Sequence, residues 1–234
     1  MIAILGSRKD DLLYLSEFAE EIGEVQTLPC GGEYRLAKIC GVEVLLGAVG
    51  QSNYLSAIYL SQLFSLYAIP HVIKIGDSVG IDANLELGDI VLVDAVYPHA
   101  VNYHADGFRY GEIPGGIPSV FPCDGSVFGM LTAHCVPFKK GHLMSGEKAI
   151  YEKGEFEGIM KRRFLYLDSM GVYNPCSYGL ALTSYLHQAA FTDIEIVSFL
   201  MGDEEGKLNM KKVALQKQVE VGRIVTSLLE GGLL

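Results

Sequence analysis

Residues 71–94, HVIKIGDSVGIDANLELGDIVLVD, constrain the fold of this chain more than any other stretch. Val72 to Ile75 is a short apolar run rich in β-branched side chains, and Ile90 to Val93 starts a second. Runs apolar on both faces read as strands of a sheet covered on both sides. Between them, Gly76-Asp77-Ser78-Val79-Gly80 predicts a glycine turn that breaks the first strand, and Gly88-Asp89 a tight turn before the second. A glycine turn at the carboxyl end of such a strand is where open α/β sheets bind ligands. Taken alone, the same letters also fit a plain tight turn in an α/β core.

The chain has 234 residues, half of them hydrophobic, enough for one large core, so a single domain over 1–234 is expected. Lys and Arg total 18 against 28 Asp and Glu, for a net charge of -10. An acidic surface repels phosphate backbones, so neither nucleic acid nor an anionic membrane is an expected partner. The most apolar region, 54–75, is interrupted by Ser56, Ser61, Gln62, Ser65, Pro70 and His71, so it reads as a buried helix and a strand rather than a membrane span. Met1 leads directly into Ile2-Ala3-Ile4-Leu5 with no basic segment, so a cytoplasmic protein without a signal peptide is expected. The five cysteines are scattered, with no CxxC and no histidine at metal spacing. Reduced thiols, no zinc site and no cofactor are the expectation.

Along the chain, 1–5 reads as a strand, turned by Gly6-Ser7. Asp10-Asp11 open a helix through Leu12, Leu13, Leu15 and Phe18, where acidic residues suit the helix dipole. Residues 31–38 and 42–49 alternate as a hairpin around Cys40-Gly41. Asn53 is the expected cap of a helix over 54–67. Residues 94–122 form a long loop with Tyr97, His99, Tyr103, His104, Phe108 and Tyr110; so long a loop usually lines a site or an interface. A helix over 126–134, strands over 140–144 and 164–170, helices within 149–163 and over 177–191, a strand over 194–200 and a helix over 210–229 complete the pattern. Alternating strands and helices predict one three-layer α/β/α domain with a central mixed sheet.

Polar groups stand just past the ends of several apolar strands: Asp11, Asp77 with Ser78, Ser145 with Glu147, and Asp203. Strand ends of this kind can converge on one crevice, although each residue also has a turn or capping explanation. No GxGxxG dinucleotide loop and no P-loop is present. The letters G-x-S-x-G do occur at 76–80, but they lead toward a second strand rather than the helix a nucleophile elbow requires.

The order of MIAILGSRKDD, VIKIGDSVGIDANLELGDIVLVD, FRYGEIPG, LMSGEKAI and IEIVSFLMGD resembles the nucleoside phosphorylase superfamily. Within it the chain is most similar to the 5′-methylthioadenosine/S-adenosylhomocysteine nucleosidases and the futalosine hydrolases. The resemblance runs nearly the whole length. It implies a nucleoside phosphorylase-like fold and hydrolysis of a purine nucleoside at its N-glycosidic bond. It also implies a homodimer in which the long loop completes the neighbouring pocket. By the same resemblance Asp203 is the leaving-group acid and Asp11 stands at the water-activating glutamate. Ala149 and Ile150 stand where the base is held, and Ser78 faces the ribose or the water. Gly80 of the glycine loop and Glu147 join the substrate-binding set.

This chain departs from the family pattern at several positions. Asp11 is one methylene shorter than glutamate. Asp77 replaces a small residue, and a carboxylate there repels phosphate. Ser177-Tyr178-Gly179-Leu180 stands where the family's ribose-gripping glutamate belongs, unless Asp168-Ser169-Met170 takes that place. Phe199 stands in place of an arginine. Tyr178 or Asp77 is the expected substitute for the ribose contact. The competing expectations are a catalytically silent member that binds a ligand or partner, and an unrelated α/β protein.

Overall fold

The computed structural model describes residues 1–133, 137–148, 150, 152–163, 170–203 and 209–233. In chain order it contains β1 (Ile2–Gly6), a 3-10 turn (Lys9–Leu12), α1 (Leu13–Glu17), β2 (Ala19–Ile22), β3 (Gln26–Thr27), β4 (Glu33–Ile39), β5 (Val42–Ala48) and α2 (Asn53–Leu66). Then follow β6 (His71–Gly80), β7 (Ile90–Pro98), a 3-10 turn (His104–Asp106), β8 (Phe121–Pro122), α3 (Ser126–Ala133), β9 (Lys139–Ser145) and α4 (Lys153–Arg163). The last elements are β10 (Val172–Asn174), α5 (Ser177–Leu186), β11 (Ala190–Leu200), α6 (Met210–Gln216) and α7 (Gln218–Glu230).

The strands form one mixed sheet in the order β10-β9-β7-β11-β6-β1-β5-β4-β2. Strands β5, β1, β6 and β11 are parallel neighbours, and β7 and β4 run against them. Strand β10 pairs with both β9 and β6, so one end of the sheet curls into a closed ring. Helices cover both faces, as the sequence pattern predicts. On one face Leu15 of α1, Val127 and Leu131 of α3 and Val221, Ile224 and Leu228 of α7 bury against Ile4, Ile73 and Ile194. On the other, Leu60 and Leu63 of α2 and Leu180 of α5 bury against Leu5, Leu45 and Val72. This is the three-layer α/β/α arrangement.

The expected turn at 76–80 is a correction. Strand β6 continues through Gly80, pairing with β11 to Leu200 and with β10 at Val79 and Gly80. The glycines serve close approach instead. A Cβ on Gly76 would stand 2.5 Å from Ser7 Oγ and 2.7 Å from Lys74 Nζ, and one on Gly80 would stand 2.7 Å from Val197 Cγ1. Glycine in a strand admits such neighbours because it carries no side chain. The Cys40-Gly41 hairpin is present, with φ of 51° and 73°, the left-handed pair that a tight two-residue turn requires.

Other boundaries move. Helix α2 is capped by Ser52, whose hydroxyl accepts from the Leu55 N–H, rather than by Asn53. Helix α5 ends at Leu186, and β11 begins at Ala190, because residues from Ala190 onward pair with His71 and its successors. The terminal helix divides at Lys217 into α6 and α7. Tyr97 lies in β7, buried against His142, rather than in an exposed loop. The strand expected over 164–170 falls, apart from Met170, outside the described residues.

An ionic cluster lies inside the apolar sheet. Lys74 of β6 is fully buried, in contact with Glu195 and 3.4 Å from Asp193, both fully buried on β11. Burial alone would depress the lysine, but Asp193 and Glu195 overturn this and hold it above its usual range. Burial pushes the Glu195 carboxyl well up. Removing one partner from a buried ion pair strands the other charge away from water. Lys74→Met is therefore expected to cost about 3–5 kcal/mol in denaturant unfolding at neutral pH. Adding Glu195→Gln is expected to recover part of that loss.

Candidate active site

Because β1, β6 and β11 are parallel neighbours, their carboxyl ends share one rim. Asp11 follows β1, Asp77 and Ser78 lie in the carboxyl-terminal part of strand β6, and Asp203 follows β11. Strand β1 ends at Gly6, and the Ser7 N–H just beyond it bonds to the Ile75 carbonyl, so the following turn is held over β6. A Cβ on Gly6 would stand 2.6 Å from the Arg8 carbonyl oxygen, so glycine lets the chain fold back tightly there.

That turn brings Asp11 and Asp77 to one cation. The Arg8 N–H donates to Asp11 Oδ2 at 2.7 Å, and Arg8 Nη2 lies 3.7 Å from Asp11 Oδ1 and 2.7 Å from Asp77 Oδ1. Asp77 Oδ2 accepts from the Ser198 hydroxyl of β11 at 2.8 Å. Both carboxylates are buried, whereas the Arg8 side chain is 30% exposed. Burial pushes the Asp11 carboxyl up to about 6; the Arg8 N–H and guanidinium oppose the rise, Asp77 adds to it, and Lys74 opposes it. Asp10, by contrast, faces outward to Lys211 at 2.6 Å.

The start of α5 forms the adjoining wall. Asn174 Oδ1 accepts from the N–H groups of Cys176 and Ser177, and its amide donates to Ser177 Oγ at 2.7 Å and to Glu195. The Cys176 thiol lies 3.3 Å from the Ser7 hydroxyl, so this wall touches the Arg8–Asp11 turn. Gly179 rests on the Asn53 backbone, a contact no side chain would permit. Asn53 Oδ1 accepts from the Gly179 N–H at 2.8 Å and the Ser145 hydroxyl at 3.2 Å, while Ser145 Oγ accepts from the Tyr178 N–H at 3.1 Å. The end of β9 is thereby drawn to the same rim.

The remaining expected residues differ in placement. The buried Ser78 hydroxyl points toward the Ile196 carbonyl, 3.5 Å away, as a contact between β6 and β11. The Gly80 carbonyl accepts from the Met201 N–H and so leads the chain toward Gly202-Asp203. Asp203 is half-buried, and its N–H bonds to the Leu200 carbonyl. Glu147 is exposed; it accepts from the Tyr54 N–H at 3.1 Å and the Ser52 hydroxyl at 3.2 Å, at the start of α2. Ile150 is fully buried in a cluster with Val79, Tyr173 and Phe199. Ala149 lies outside the described residues. Tyr178 packs its ring on Phe121, and burial, then Tyr103 and Tyr54, push its hydroxyl up to about 12. His99 is buried against Gly146 and Tyr173, whereas His104 is exposed.

Sequence reasoning missed Arg8, Ser198, Asn174 and the Lys74 cluster. Their signal was present: Arg8 sits between the glycine turn and the acidic pair, and Lys74, Asp193 and Glu195 are charges within or beside apolar runs. A cavity of about 470 Å³ lies elsewhere, between α1 and the β4–β5 hairpin, walled by Leu12, Leu13, Ile22, Val25 and Tyr34. None of the rim carboxylates lines it. Among the described residues no cluster of His, Cys, Asp and Glu could hold a metal ion, and no helix is long and apolar enough to cross a membrane.

The model for the phosphorylase superfamily matches residues 1–226. A 5′-methylthioadenosine/S-adenosylhomocysteine nucleosidase of Aeromonas salmonicida is 30% identical over 127 residues, 54% of each chain. One of Bacillus cereus is 25% identical over 209 residues, 87% of each. The strongest stretches of similarity thus span about half the length of the curated relatives they match. The structure of the Neisseria meningitidis nucleosidase in complex with methylthio-immucillin-A superposes with a TM-score of 0.87 at 18% identity, covering 98% of each chain. That of Colwellia psychrerythraea in complex with adenine gives 0.86 at 18%, covering 98% of this chain and 94% of the other. These superpositions show the shared fold.

The Asn53 carboxamide joins α2, β9 and α5 behind the rim. Asn53→Ala orphans the buried Gly179 N–H and is expected to cost about 1–3 kcal/mol in thermal or denaturant unfolding.

Proposed function

Since the chain belongs to the phosphorylase superfamily, we propose that it hydrolyses the N-glycosidic bond of a purine ribonucleoside of the methylthioadenosine, adenosylhomocysteine or futalosine type. The observation that carries this reading is the Asp11 carboxyl, buried at the rim and pushed up to about 6 by its burial. At neutral pH such a group is mostly ionised yet more basic than an ordinary carboxylate, which suits a general base for water. Bond cleavage builds positive charge on the sugar and negative charge on the departing base. Asp203, following β11 on the same rim, donates the proton that lets the base leave.

The sugar-gripping position is rebuilt in this chain. Ser177 is fully buried and committed to Asn174, so no carboxylate reaches the pocket from the start of α5. Asp168 lies outside the described residues; Tyr178 or Asp77 replaces that contact in this reading. Asp77 disfavours phosphate and favours water as the acceptor. The same loss of a carboxylate supports a second reading, a silent member that binds a nucleoside without cleaving it.

The protein acts as a homodimer in this proposal. The long loop contributes Tyr103, which is 42% exposed, and α2 presents Tyr54, Leu55 and Ile58 on its outer face. Apolar groups clustered at a surface suit an interface. Cys30, Cys40, Cys123 and Cys176 are free thiols, which fits a reducing cytoplasm.

Chromatography of wild-type protein with methylthioadenosine, S-adenosylhomocysteine, 5′-deoxyadenosine, adenosine, inosine and an aminodeoxyfutalosine-type nucleoside is expected to detect free base. Asp203→Asn should lower release by about 10²-fold or more, the scale of a general acid. Because the base must be ionised, kcat/KM should rise with pH through about 6. No release together with thermal stabilisation by adenine would favour the silent binder. Sedimentation analysis is expected to give twice the chain mass, and Ile58→Glu to shift it to the monomer.

A further inference from the structure

We propose that Arg8 is a positioning residue for Asp11, acting as the shared cation that keeps two buried carboxylates, Asp11 and Asp77, apart and aimed. The inference rests on the reading of Asp11 as the water-activating base, and it goes beyond it by assigning what controls that base.

The geometry has three parts. Arg8 is extended, with φ -131° and ψ 160°, just before the 3-10 turn. Its N–H therefore faces the side chain three residues on and bonds to Asp11 Oδ2, as in the reaching-back half of a capping box. Its guanidinium then spans from Asp11 Oδ1 at 3.7 Å to Asp77 Oδ1 at 2.7 Å. Finally, Ser198 of β11 fixes the far oxygen of Asp77, so the bridge is anchored on the sheet rather than on the mobile end of a long side chain. The contact to Asp11 is the longer, so the guanidinium is seated on Asp77 and steers Asp11 from there.

Among the described residues, the charges acting on Asp11 are Arg8, Asp77 and Lys74. Arg8 lies on its own turn, and Asp77 and Lys74 lie on β6. Lys211 of α6 is engaged by Asp10, and Lys74 by Asp193 and Glu195. Among the described residues, Arg8 is thus the cation that contacts both Asp11 and Asp77. Without it, Asp11 and Asp77 face one another with like charge, and proton binding relieves the repulsion. Without Asp77, the guanidinium is released to Asp11.

The two removals predict opposite shifts, which a purely structural role would not. Protein labelled with ¹³C at the aspartate carboxyls, its Asp11 signal identified by loss in Asp11→Asn, reports the titration without turnover. The wild-type midpoint is expected near 6. Arg8→Met should raise it by about 1–2 pH units, the usual scale for loss of an adjacent opposite charge. Asp77→Ser should lower it, the double variant should fall below Arg8→Met, and Arg8→Lys should lie between Arg8→Met and wild type. An unchanged midpoint in a folded Arg8→Met protein, or a rise in Asp77→Ser, overturns the proposal. Should Arg8→Met fail to fold, the sign of the Asp77→Ser shift decides alone. In turnover, the acid limb of kcat/KM should follow the same order. If no nucleoside is cleaved, the hydrolytic reading fails while the titration still tests Arg8.

Discussion

The buried contact of Lys74 with Asp193 and Glu195 is the interaction on which the rim depends. It joins β6 to β11 inside the sheet, and through Glu195 it reaches Asn174, whose amide oxygen holds the first N–H groups of α5. A buried ion pair contributes little net stability, because the desolvation of both partners offsets their attraction. Its role is geometric: Glu195 contacts both Lys74 of β6 and the Asn174 amide that holds the start of α5. The turn after β1 rests on this assembly, with Ser7 against Cys176 and Gly76 too close to Ser7 and Lys74 to carry a side chain. Asp11 is thereby set over a rigid base.

This arrangement explains how the chain can lack a carboxylate at the start of α5 and still present acidic groups at the rim. Glu195 accepts from the Asn174 amide beside the start of α5, where its charge serves architecture. Asp77 appears on β6, where Ser198 and Arg8 hold both of its oxygens. The exposed side of Arg8 is the point at which this internal network meets solvent. Chemistry and packing are thus divided between neighbouring residues of the same strands.

Much of this was legible in the sequence. The apolar runs at 72–75 and 90–93, the Cys40-Gly41 hairpin and the alternation of strand and helix predict the three-layer fold, and Asp11 and Asp77, which Arg8 bridges, are among the strand-end carboxylates. Glycine misled at 76–80, because its tolerance of tight turns and of tight strand contacts leaves the same letters in a sequence. Only the long-range pairing of Val79 and Gly80 with β10 and β11 separates the two. The same applies at 187–191, where helical periodicity continues but pairing with His71 begins the strand early. Asn53 reads locally as a cap, yet its partners are Ser145 and Gly179, far away in sequence. Arg8 was hidden for a similar reason: Asp77, its firmer partner, is on another strand.

The closure of the sheet through β10 has a consequence for association. A strand of three residues, Val172–Asn174, pairs with both β6 and β9, so among the described residues that end of the sheet is closed by pairing. Among the described residues, the open margin is at the opposite end, where β2 and β3 lie outside β4. Glu20 and Glu21 stand on that margin within the short strand AEEI. Charged side chains on a short edge strand discourage strand-to-strand addition. The fold thus protects its two ends by different means, one by pairing and the other by charge, and leaves helices and loops as the surfaces through which copies can meet without extending the sheet.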